Sequence, residues 1–215
     1  MDPLATKGLV GLGGLSLIGG GGALAWNQGL FSRSPETIKD KLERKGYTAL
    51  EEGSSHWSQI FEIYKKTENT KRFANDGITS GDTEHDKLKK KCNEALDLES
   101  SKEDIYQRVI KWCVVPRKVE EVISSVSLLG VDESSDSDNY RWKPILEEYK
   151  RTKSQTGNTY ELTEVTLVEP TEGNTKEAEN IKELKKGCKS RREKLTYHLE
   201  FEKSMEEVRK WCSAK

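Results

Sequence analysis

The sequence predicts a mainly α protein in which an N-terminal apolar segment is followed by two tandem small helical bundles. Three observations carry that expectation. A charge-free, glycine-rich run extends from Gly8 to Trp26; beyond it, apolar residues recur at the i, i+3, i+4, i+7 spacing of one helix face; and the same order of motifs then returns further down the 215-residue chain. The implied division is 1–33 for the segment and its flank, 34–118 for the first bundle and 119–215 for the second.

As a helix, the Gly8–Trp26 run would reach about 28 Å, close to the roughly 30 Å of hydrocarbon in a bilayer. Two readings fit it. As an uncleaved anchor it is a transmembrane helix, with Gly19/Ala23 and Gly21/Ala25 spaced for close helix contact. As a cleaved signal it has Lys7 as its basic flank and Ala23-Leu24-Ala25 as a small-x-small site. A phosphate-cradling loop is not supported, because no Gly-Lys-Ser/Thr ending and no preceding strand accompany the glycines.

The body then divides at caps and breakers. Ser34-Pro35-Glu36 reads as a cap with proline at the first helical position, Ile38 and Leu42 share a face, and Gly46 stops the run. Trp57, Ile60, Phe61 and Tyr64 define a second helix. After a polar loop, Thr83 with Asp86 reads as a capping box before Leu88, Cys92, Ala95 and Leu96. Ser101 with Asp104 opens a fourth helix carrying Ile105, Val109, Trp112 and Cys113, which Pro116 ends.

The order is then repeated. Val122, Ile123 and Val126, stopped by Gly130, stand where the first helix stood. Trp142, Ile145, Leu146 and Tyr149 reproduce Trp57, Ile60, Phe61 and Tyr64 in register. Leu184 to Cys188 matches Leu88 to Cys92, and Val208-Arg-Lys-Trp211-Cys212 matches Val109-Ile-Lys-Trp112-Cys113. The second copy is longer by the Thr-, Glu- and Gly-rich stretch Ser154 to Asn174, expected as a surface loop or short β-ribbon, since loop length is cheap in free energy.

Each copy therefore carries one cysteine on its third helix and one on its fourth. Antiparallel neighbours would bring Cys92 to Cys113 and Cys188 to Cys212 as disulfides, and the alternative is four buried thiols. Zinc is not suggested without a Cys-x-x-Cys pair. A catalytic thiolate is disfavoured for Cys113 and Cys212, because the negative end of a helix dipole raises a thiol's pKa. His56, His85 and His198 read as solvated or capping residues, so no catalytic, metal or cofactor set is expected. The tryptophans Trp57, Trp112, Trp142 and Trp211, with Tyr64 and Tyr149, read as core. Lys and Arg (36) nearly balance Asp and Glu (37), which gives no footprint for nucleic acid. The basic run Lys182, Lys185, Lys186, Lys189, Arg191, Arg192 and Lys194 reads as a solvated face, with an acidic partner as the sharper alternative.

The glycine-rich N-terminal span, the Leu-x-x-x-Cys helices and the terminal Val-x-Lys-Trp-Cys motifs resemble the paralogous sets of uncharacterised proteins of haemotrophic mycoplasmas, which live attached to red blood cells. That resemblance implies surface antigens whose partners are a host protein or antibody. Two signals compete over sidedness. Arg33, Lys39, Lys41, Arg44 and Lys45 outweigh Lys7 and would hold the body in the cytoplasm by the positive-inside rule, whereas paired cysteines place it outside. The expectation is a cell-membrane protein with an extracellular, non-catalytic body; the alternative is a cytoplasm-facing tethered scaffold with reduced cysteines.

Overall fold

The structure is a computed structural model that describes residues 35–123, 127–173 and 175–214. The Gly8–Trp26 segment, Ser34, Val126 and Asn174 lie outside the described residues. Among those described the chain is mainly helical, and no helix is long and apolar enough to cross a membrane. In order the helices are α1 (Ile38–Arg44), α2 (His56–Tyr64), α3 (Asp86–Leu96), α4 (Glu103–Trp112), α5 (Val119–Val122), α6 (Asn139–Gln155), α7 (Glu177–Arg192) and α8 (Phe201–Trp211).

Several helix starts differ from expectation, each because a side chain found a better partner. Pro35 stays outside α1: the Thr37 hydroxyl accepts from Asp40 N at 3.2 Å while the Asp40 carboxylate accepts from Thr37 N at 2.9 Å, so the reciprocal cap forms one turn later. At the other end Gly46, at φ 74°, closes a left-handed cap in which Tyr47 N donates to Leu42 O. The Thr83–Asp86 box does not form, because Asp86 is itself the first helical residue and faces Lys89. Asp104 likewise pairs with Arg108 one turn on instead of capping with Ser101. In α5 the buried pair is Val119 and Ile123, an i, i+4 face; Val122 is only partly buried.

Two hydrophobic clusters result, one drawn from residues between Ile38 and Val114 and the other from Val119 to Cys212. Each holds one disulfide. Cys92–Cys113 joins α3 to α4 with Cα atoms 5.5 Å apart, and Cys188–Cys212 joins α7 to α8 at 5.6 Å. Short antiparallel bridges tie the helix ends to the intervening segments in the same way in both halves. Ile38 N donates to Leu98 O as Val119 N does to Lys194 O; Leu50 N donates to Cys113 O as Leu129 N does to Cys212 O; Val115 N donates to Thr48 O as Ala214 N does to Ser127 O.

The halves meet through the α7–α8 connection. Lys194 to Thr196 pair with Arg117 to Val119, which draws this stretch out of the helix and leaves His198 in a turn. Tyr197 and Leu199 then pack against the first cluster. The ammonium of Lys111, only 4 % exposed, crosses to the second half and donates to His198 O at 2.8 Å and to both carboxylate oxygens of Glu202 at 3.0 Å.

Candidate functional site

The six aromatic markers Trp57, Tyr64, Trp112, Trp142, Tyr149 and Trp211 lie in the two cores. Tyr64 meets Trp112 edge-on at 5.0 Å between ring centroids, and Tyr149 meets Trp211 edge-on at 5.1 Å. The hydroxyl of each tyrosine then secures the long loop that follows its helix. Tyr64 Oη donates to Asp76 at 2.6 Å and accepts from Phe73 N at 2.9 Å. Tyr149 Oη lies 3.0 Å from Leu162 O and 3.1 Å from Val165 O, and its proton serves one of the two carbonyls. Trp57 and Trp142 instead donate backwards, to Glu51 O and Gly130 O.

Around Asp76 the first loop is fastened by charge. Arg72 grips that carboxylate with two bonds of 2.8 and 3.0 Å and also donates to Ile78 O. Burial works against ionising Asp76, but the bonds from Arg72, Tyr64 and Ile78 outweigh it and hold its pKa below the usual carboxylate value. Burial, reinforced by the neighbouring Asp76, pushes the Tyr64 hydroxyl upward, so it stays a donor.

The second loop is less of a surface feature than its composition suggests. Leu162, Val165 and Leu167 are buried, and no strand forms among its described residues. Asn180, 1 % exposed, accepts from Val168 N at 2.6 Å and donates to Val168 O, taking the place of a neighbouring strand. Room for the loop comes from Gly187, where an added methyl group would overlap Val165 Cγ2. Lys91 holds the place before Cys92 on α3 that Gly187 holds before Cys188, so the glycine answers to a loop that crosses close over α7.

The solvated-face reading of the basic run is overturned for three residues. Lys185 and Arg191 are essentially inaccessible and Arg192 is nearly so. Lys185 donates to Asp138 and Ser135 O, both at 2.6 Å, and fastens the loop before α6. Arg191 lies 2.8 Å from Glu207, a charge contact without an aligned hydrogen bond, and 3.2 Å from Glu200. Arg192 donates to Cys212 O at the C-terminal end of α8, where a cation suits the helix dipole. Sequence reasoning missed these residues, although their positions carried a signal. Lys185 follows Ile181 by one turn, and Arg191 and Arg192 follow Cys188 at i+3 and i+4, so all three continue the apolar stripe. Composition drew the eye to charge; register decided burial.

Between the halves lies a groove of about 470 Å³. Its floor includes Tyr47, Tyr106, Ile110 and Phe201, and Lys45, Arg117 and Arg209 stand at its rim with Glu121 and Glu202. Arg117 sits 5.1 Å over the Tyr47 ring. Every cysteine is in a disulfide, and no group of three or more metal-ligating side chains occurs among the described residues. Comparison of the chain with protein-family models, curated proteins and solved structures finds no match.

Proposed function

We propose that the chain is a membrane-anchored surface protein whose body, two copies of one stapled helical module, presents loops and a groove to a host molecule or antibody without catalysing a reaction. The observation that carries this reading is the pair of buried disulfides at matching places in the two cores, since such bonds persist in oxidising compartments and are reduced in the cytosol. Duplication is supported by the three pairs of equivalent backbone bonds and by the two edge-on Tyr–Trp contacts. The anchor is the Gly8–Trp26 run.

The cytoplasm-facing scaffold drew its support from flanking charge. In the folded body one of those charges, Lys41, is engaged at 2.7 Å with Glu103, donates to Ser100 O and lies over Tyr106. The deciding experiment is isolation from native cells with thiols blocked at lysis, followed by non-reducing mass spectrometry. Links between Cys92 and Cys113 and between Cys188 and Cys212, with the body labelled by a membrane-impermeant reagent on intact cells, are the expected result. Four free thiols behind an intact Met1 would move the assignment to the scaffold.

A further inference from the structure

Lys182, Lys186 and Lys189 occupy i, i+4 and i+7 of α7, all exposed and on the face opposite Leu184 and Cys188. Like charges at this spacing repel and destabilise a helix unless something neutralises them. Many other lysines of the molecule have a counter-charge close by. On α3, Lys87, Lys89 and Lys91 each have a carboxylate oxygen within 3.7 Å, from Asp82, Asp86 and Glu94. Among the described residues no carboxylate lies at ion-pair distance from Lys182, Lys186 or Lys189.

The stripe runs into a shallow pocket of about 460 Å³ walled by Lys186, Lys189, Ser190, Glu193, Lys194, Leu195 and His198. Three ammonium groups face one carboxylate there. Glu200 is already engaged by Arg191 and Lys194, and Asp132 feels Lys189 only at a distance. His198 Nδ1 is buried and meets no hydrogen-bond partner. Burial lowers this imidazole's pKa, and Lys194, Lys111 and Lys66 lower it further against the pull of Glu200.

We propose that the α7 face and this pocket bind a sulfated glycan chain. Helical rise sets the three stripe charges about 6 and about 4.5 Å apart along the axis, which suits a chain with repeated anionic groups better than a single small anion. The cations are lysines throughout; the forked arginines that recognise phosphate bidentately are turned inward instead, as Arg191 and Arg192. The pocket's walls hold no aromatic ring besides His198 on which bases could stack, and Leu195 is their one large apolar side chain, too little to insert into a bilayer, which disfavours nucleic acid and membrane. The assignment rests on the exported reading of the body, because such glycans are met outside the cell.

The test uses the full oxidised chain with a heparin-derived octasaccharide and its desulfated counterpart at near-physiological salt, read by fluorescence anisotropy and by NMR of the His198 ring. The expected result is binding of the sulfated chain alone, weakened about tenfold or more by the double variant Lys186→Gln/Lys189→Gln and unchanged by Lys90→Gln, an exposed lysine of α3. The His198 pKa should rise in the complex, a readout that damage to the fold would not give. Equal binding by the desulfated chain, by duplex DNA or by phosphatidylserine vesicles overturns the proposal, as does an effect of Lys90→Gln matching that of the double variant. Free thiols in the native protein would defeat the exported reading; intact staples with no glycan binding defeat only this one.

Discussion

At the scale of single residues, the fold depends on a few side chains that let a loop come close. Gly187 is the clearest case: an alanine there must displace Val165, and overpacking of this kind costs about 1–3 kcal/mol. Urea denaturation of Gly187→Ala should show that loss, and Val165→Ala on the same background should recover part of it, because the Val165 Cβ would stand at an ordinary 3.6 Å. Additive losses in the double variant would refute the clash. Asp76 gives a second expectation. Its pKa is depressed in the folded protein, so the stability it contributes is complete above the unfolded value of about 4 and is lost as pH falls through the lower folded value. Asp76→Asn should therefore flatten the acid limb of the stability profile. Neither residue was legible beforehand. A glycine inside a lysine-rich helix and an aspartate in a polar loop acquire meaning only when a partner distant in sequence is known.

At the scale of elements, helix identity was legible because the apolar spacing that marks a helix face is also the face that is buried. All four members of the Trp57–Tyr64 set and of the Trp142–Tyr149 set are core. Helix starts were less legible, since Thr, Ser, Asp and Glu bind equally well to a backbone amide or to a nearby cation, and the contest among them is settled by tertiary position, as at Asp104. The cysteine-bearing pairs α3–α4 and α7–α8 are where element and staple coincide. With sequence separations of 21 and 24, each bridge removes loop entropy worth about 3 kcal/mol from the unfolded chain. Replacing Cys92 and Cys113 together by alanine should lower stability by about that amount, and so should replacing Cys188 and Cys212. Because the staples lie in separate clusters, the quadruple variant should show the sum of the two losses. A much larger combined loss in chemical denaturation would mean that the clusters do not respond independently.

At the scale of the whole molecule, the junction between halves is the part that composition did not announce. Lys111 belongs to the first half by sequence, yet its charge is satisfied by the second. The two partners are unequal. Lys111 is nearly inaccessible, whereas the Glu202 side chain is 50 % exposed and keeps its access to water. Glu202→Ala should then be the more damaging change, stranding a buried ammonium at a cost of about 1–3 kcal/mol, while Lys111→Met should cost less than about 1 kcal/mol. Burial already lowers the Lys111 pKa against the pull of Glu202. Without Glu202 the folded-state pKa of Lys111 falls further, so the deficit of Glu202→Ala should shrink as pH rises from the variant's folded value through the wild-type one, as thermal scans at increasing pH would show. The staples have one further consequence at this scale. Each bridge spans the connection between its two helices, so a backbone cut anywhere from residue 93 to 112, or from 189 to 211, leaves the two pieces covalently joined. The long loops after α2 and α6 lie outside those spans. A protease meeting this protein would find the connections between stapled helices forgiving of a nick and the loops after α2 and α6 unforgiving.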